Sequence, residues 1–211
     1  AGRYEILHCH LTPSNILGKP LGALIEVPVR INHDHTNDAL RIRSAVVRGL
    51  DRWSNQFASH IVAVAGSCRD FLIEREGIAP ARITLVPNAI DTAHYAPGAV
   101  PRDEARRRLG IGQSARVVAG VGRLRPQKNF SLFLEVAAAL AKVLPDGVFV
   151  IAGEGPDEAM LRGMARELGL GERVVFTGYV PDSRVVYAAA DVLLMPSRFE
   201  GLPMTLLEAM S

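Results

Sequence analysis

The chain has 211 residues, 48% of them hydrophobic and 22% charged, which is ordinary for a soluble α/β protein and enough to bury one large or two small cores. A net charge of +2 is too small to argue for nucleic acid as a partner. No apolar run approaches the roughly 20 residues that span a bilayer, and nothing at the N-terminus resembles a signal peptide. Cys9 and Cys68 show neither metal-ligand spacing nor a pair motif, which points to a reducing, cytoplasmic setting. The start at Ala1-Gly2 and the stop inside an expected helix read as a stretch of a longer protein.

In chain order, Tyr4–His10 reads as a strand, Asn15–Glu26 as an apolar helix despite Pro20, and Val27–Asn32 as a second strand running into His33-Asp34-His35. Ile42, Val46, Leu50, Trp53 and Phe57 recur at helical steps and predict one amphipathic helix from Asn37 to Phe57 with a core-facing stripe. Strands follow at His60–Val64 and Arg82–Val86, around a helix capped by Ser67. Residues 89–100 have no period, contain Pro97-Gly98 and form a linker between domains at 1–88 and 101–211. After a charged helix at Asp103–Leu109, strands are expected near 116–121, 147–152, 173–177 and 191–195. Helices near 129–144, 156–168, 182–190 and 203–211 alternate with them. Strands alternating with helices of that length imply parallel sheets in Rossmann-like layers.

The chemistry-bearing residues sit where these strands end. Gly120-Val121-Gly122-Arg123-Leu124 with Lys128-Asn129 puts two permanent cations in a loop where open α/β sheets bind ligands, and it lacks the Gly-Lys-Ser/Thr ending of a Walker loop. Gly153-Glu154-Gly155-Pro156 and Thr177-Gly178-Tyr179-Val180 end the next two strands. The last sixteen residues begin Pro196-Ser197-Arg198-Phe199-Glu200-Gly201-Leu202-Pro203 and reach Glu208 in the second turn of a helix. Peptide N–H groups at such a helix entry suit an anion. Each of these features alone fits a solvated surface or a simple turn.

Together with Val86-Pro87-Asn88, the five motifs resemble, in order and spacing, the retaining glycosyltransferases of family four, which have the GT-B fold. The resemblance is specific over residues 83 to 211 and looser before. It implies two Rossmann-like domains with parallel sheets, both incomplete in this chain: a partial acceptor-side domain at 1–88 and a nucleotide-sugar domain at 101–211. It implies Arg123, Lys128 and the amides of Gly201 and Leu202 on the donor diphosphate, Glu208 on the ribose, and Gly153, Tyr179 and Val180 beside the nucleobase. Asn88 falls at the hinge, and Glu200 and His10 fall at the donor sugar. Fixed cations stabilise the charge that the leaving diphosphate gains, so no cofactor or metal ion is expected. His8-Cys9-His10 and His33-Asp34-His35 are two His-x-His pairs with no obvious third ligand, which favours structural or surface roles for them.

The expected partners are a nucleotide-sugar donor and a glycan or lipid-linked acceptor. Arg41, Arg48 and Arg52, with Arg43 nearby, fall on one helix flank and suggest peripheral contact with the inner face of an anionic membrane. The expected activity is hexosyl transfer with retained configuration, as in polysaccharide biosynthesis; whether this stretch turns over by itself is left open. A sugar-nucleotide epimerase of the same architecture and a noncatalytic sugar-nucleotide-binding module are the alternatives. A nicotinamide dehydrogenase is disfavoured, because Gly-x-Gly-x-x-Gly with a following acidic residue is absent.

Overall fold

The computed structural model describes residues 4–35, 41 and 44–211. It divides into two compact units, Ala1–Ala89 with Phe199–Pro203, and Ile90–Arg198 with Met204–Ser211.

In the first unit, β1 (Ile6–His10), β2 (Val29–Asp34), β3 (His60–Ala63) and β4 (Ile83–Leu85) form a parallel sheet in sequence order. Helix α1 (Thr12–Leu24) starts earlier than its apolar run suggests, because Pro13, its second residue, suits the first turn, where a missing N–H leaves no bond unmade. Of the helix expected from Asn37 to Phe57, residues 37–40, 42 and 43 lie outside the described residues, and Ser44 is not helical. Ser44 is extended (φ −110°, ψ 111°) and its hydroxyl accepts from the Val47 N–H, so a new helix, α2 (Ala45–Ser54), starts there. A 3-10 turn, Asn55–Phe57, follows. Of the expected core stripe, Ile42 lies outside the described residues and Phe57 is half-buried, while the middle is reversed. Val46, Leu50 and Trp53 are exposed, whereas Asp51 and Ser54 are buried.

The reason lies beneath α2, where Lys19, Asp34, Arg41, Asp51, Asn55 and Glu76 are all buried. Arg41 donates to both oxygens of Asp34 at 2.8 Å and reaches Asp51 at 3.1 Å and Glu76 at 3.3 Å. Lys19 meets Asp51 at 3.4 Å and donates to Asn55 at 2.5 Å. Buried charge requires opposite charge, so the polar face of α2 turns inward. Arg41 therefore does not belong to a membrane-facing flank. Arg48 donates to the Arg41 carbonyl at 3.0 Å, and Arg43 lies outside the described residues. Helix α3 (Gly66–Glu74) has Ala65 at its N-cap, so Ser67 is inside the helix rather than its cap.

The second unit opens with α4 (Arg102–Arg108). Strands β5 (Arg116–Val121), β6 (Gly147–Ala152), β7 (Val174–Gly178) and β8 (Val192–Leu193) then form a parallel sheet in the order β7-β6-β5-β8. Between and after them come α5 (Phe130–Ala141), α6 (Glu158–Glu167), α7 (Arg184–Ala189) and α8 (Met204–Met210). Both sheet faces are covered, which is why its strands are continuously apolar rather than alternating. Phe149 and Ile151 pack with Phe133 and Leu134 of α5 on one side, and Val117, Ala119, Val150 and Ala152 pack with Val186 of α7 on the other. A Cβ at Gly120 would stand 2.8 Å from the Phe130 ring and 3.0 Å from that of Phe133, so the glycine admits this aromatic pair. Strand β8 is shorter than expected. It is held by Asp191, whose carboxylate accepts from the Val117 N–H at 2.7 Å and from Arg106 at 3.2 Å.

Candidate nucleotide-sugar site

The order β7-β6-β5-β8 places a topological switch between β5 and β8, since the chain runs from β5 outward to β7 and then returns to β5's other side. The crevice beyond the strands' carboxyl ends at such a point is where open α/β sheets take ligands. Hydrogen bonds lace the two loops that flank it. Asn129, in left-handed geometry (φ 55°), donates its side-chain amide to the Pro196 carbonyl at 3.2 Å, and the Arg198 N–H donates to the Gln127 carbonyl at 2.8 Å.

Leu124 is wholly buried in the core and so anchors the loop after β5, while its neighbour Arg123 lines a cavity of ≈ 420 Å³. Gly153, Tyr179 and Val180 line the same cavity, so four of the expected donor residues meet there, with Glu154 and Ser183. Gly153 is irreplaceable on two counts: its φ is +136°, and a Cβ would stand 2.0 Å from the Gly122 carbonyl oxygen. Lys128 lays its side-chain carbons 3.4 Å from where a Gly122 Cβ would be, across the loop that carries Arg123.

Glu208, on α8, accepts from the Tyr187 hydroxyl at 2.6 Å and from the Ser183 hydroxyl at 3.3 Å. Burial and the Glu208 carboxylate together push the Tyr187 phenol well above its ordinary range, so it remains a donor. Since Ser183 also lines the cavity, its hydroxyl links Glu208 to the cavity wall. Glu154 accepts from the Tyr179 N–H at 3.1 Å, which fixes the turn after β7. Glu154, Ser183 and Tyr187 were not legible as site residues, because their partners are 21 to 25 positions away with no motif spacing.

Glu200, Gly201 and Leu202 pack with the first unit. Asn88 donates its amide to the Leu202 carbonyl at 2.7 Å. A Cβ on Gly201 would stand 2.2 Å from the His35 carbonyl oxygen, so this loop seats directly on the end of β2. His10 is exposed, at the end of β1, with Nδ1 2.7 Å from His35 Nε2.

Two open parallel sheets, the second with glycine turns, the cations Arg123 and Lys128 and a tethered carboxylate beyond its strands, make this a doubly wound α/β protein. Residues 101–211 match the family model described as glycosyl transferases group 1, and residues 1–94 match that of glycosyltransferase family 4; the chain belongs to this glycosyltransferase family. It is 29% identical, over 99% of its length and 56% of the relative's, to an Escherichia coli UDP-Gal:alpha-D-GlcNAc-diphosphoundecaprenol alpha-1,3-galactosyltransferase. It is 35% identical, over 81% of its length and 45% of the relative's, to the 2-deoxystreptamine glucosyltransferase of Streptomyces kanamyceticus. Among solved structures, Anabaena Alr3699/HepE in complex with UDP-glucose superposes with a TM-score of 0.83 at 23% identity, covering 98% of this chain and 57% of that one. The chain thus spans about half the length of the relatives it matches.

Proposed function

We propose that the chain supplies the donor site of a retaining glycosyltransferase that moves a sugar from a nucleoside-diphosphate sugar to a glycan or lipid-linked acceptor. The observation that supports this reading best is the cavity ringed by Arg123, Gly153, Tyr179 and Val180, with Glu208 tethered to its wall through Ser183. The backbone at Tyr179 and Val180 takes the nucleobase, and the Glu208 carboxylate accepts the ribose hydroxyls. Arg123 and Lys128 hold the diphosphate. As the glycosidic bond breaks, negative charge develops on that diphosphate, and cations already in place stabilise it without reorganising. Glu200 and His10 contact the donor sugar. A diphosphate oxygen on the departing face takes the proton of the incoming hydroxyl, so the new bond forms on the face the old one left. Uridine diphosphate is the first nucleotide to test, since relatives of this chain are named for UDP-sugars.

The reaction belongs in the cytoplasm, in keeping with two unpaired buried cysteines. Among the described residues no helix is long and apolar enough to cross a membrane.

Labelled UDP-glucose and UDP-galactose, offered with and without glycan and lipid-linked acceptors, test the reading. A product with the donor's anomeric configuration supports it. An inverted product, or an epimerised donor without transfer, overturns it.

A further inference from the structure

The two His-x-His pairs, separate in sequence, become one cluster through the pairing of β1 with β2. The strands run parallel with His10 opposite His33. Side chains alternate along a strand, so His8 and His10 share a face of β1, and His33 shares that face on β2. His8 Nε2 lies 3.1 Å from His33 Nδ1, and His10 Nδ1 lies 2.7 Å from His35 Nε2. One ring nitrogen from each of His8, His10 and His33 falls within 4.8 Å of the others. Around a tetrahedral ion with metal–nitrogen bonds of about 2.0–2.1 Å, ligand nitrogens stand about 3.3 Å apart. The three rings thus need only small χ rotations to close on one ion.

Burial, then His35, His10 and His8, bring the His33 imidazole down to about 4, and His8 and His35 are also lowered, chiefly by burial. His33 Nε2 is buried without a hydrogen-bond partner among the described residues. The neighbouring Asp34 pairs with Arg41, 2.8 Å from both of its carboxylate oxygens.

We propose that His8, His10 and His33 form a binding site for one divalent late transition-metal ion, with Zn²⁺ the best match, and that His35 orients His10 from behind. Three imidazoles select zinc, copper, nickel or cobalt over magnesium or calcium, which prefer oxygen. The hydrogen bond from a second ring to a ligand's other nitrogen is the usual way such a ligand is held. The site shares His10 with the donor reading but does not rest on it. Where both hold, an ion on His10 would compete with the donor sugar rather than serve as a cofactor.

The test uses the metal alone. The untagged, metal-free chain is titrated with Co²⁺ at pH 7.5, visible d–d absorption is recorded, and the bound Co²⁺ is then displaced with Zn²⁺. The expected result is saturation at one ion per chain, displacement by Zn²⁺ and none by Mg²⁺. His8→Gln and His33→Gln should each weaken binding by at least ~10-fold. His60→Gln, on β3 and bonded to Thr84 at 2.7 Å, should leave it unchanged. The fluorescence of Trp53, the single tryptophan, reports whether each variant keeps the first unit folded. His8 is exposed, so its variant decides the matter where His33→Gln does not fold. Absence of saturable d–d bands, or equal affinity in wild type and His8→Gln, would overturn the proposal.

Discussion

Replacing Tyr187 with Phe removes one hydroxyl and leaves the ring in place. That hydroxyl donates to the Glu208 carboxylate at 2.6 Å; the other donor, Ser183, is at 3.3 Å, the weak end of the range. A hydrogen bond to a charged group contributes about 1.5–3 kcal/mol, and one between neutral groups about 0.5–1.5 kcal/mol. Tyr187→Phe should therefore destabilise the second unit by about 1.5–3 kcal/mol in the parent and by about 0.5–1.5 kcal/mol in a Glu208→Gln background. The resulting coupling is about 1–1.5 kcal/mol. Trp53 belongs to the first unit and does not report on this loss. Hydrogen exchange of the buried β5 and β6 amides, measured across the four-member mutant cycle, does. Additive losses, within the ~0.5 kcal/mol expected of independent sites, would show that the hydroxyl does not hold an ionised Glu208 and would remove the tether from the site.

Gly153→Ala should destabilise the second unit by several kcal/mol, because it adds positive-φ strain of about 1–3 kcal/mol to a 2.0 Å clash with the Gly122 carbonyl; an unchanged unfolding midpoint would contradict that geometry. In the buried cluster of the first unit, three carboxylates face two cations among the described residues. Burial, followed by Asp51, pushes the Glu76 carboxyl up to about 8. A raised folded-state value means the stabilisation is full below the unfolded value, about 4.3, and is lost as pH rises through 8. Trp53-monitored unfolding of wild type should therefore weaken from pH 6 to 9, and Glu76→Gln should flatten the slope; equal slopes would refute a protonated Glu76. Arg106→Met removes a buried guanidinium that bonds the Ala189 carbonyl at 3.2 Å and Asp191 at 3.2 Å. Loss of such a buried, paired charge costs about 3–5 kcal/mol, which hydrogen exchange of β8 would show.

Much of the fold was legible because burial on both faces leaves a plain mark. Strands β5 and β6 occur at the residues where their apolar runs begin and end. The interruption at Ser44 and the outward stripe of α2 were hidden for one shared reason. The inner face of that helix carries Asp51, which answers buried cations on Lys19 and Arg41 that come from two other places in the chain. Helical periodicity records how apolar residues are spaced and carries no sign of which face meets an ion. The candidate site divides similarly. Glycine turns and permanent cations follow from local chemistry, and Gly153 shows why its residue type is required. Glu154, Ser183 and Tyr187 act through side chains that meet only when α7, α8 and the turn after β7 are in place. The histidine cluster depends on strand pairing, which two separate His-x-His strings do not reveal.

Binding of a nucleoside diphosphate is the heart of the account, and calorimetric titration of the chain with UDP tests it most directly. Saturable binding at one site per chain is predicted, reduced at least ~10-fold in Lys128→Ala and in Glu208→Ala, which corresponds to the ~1.4 kcal/mol or more expected of a charged contact. Equal affinity in the wild type and both variants would contradict it.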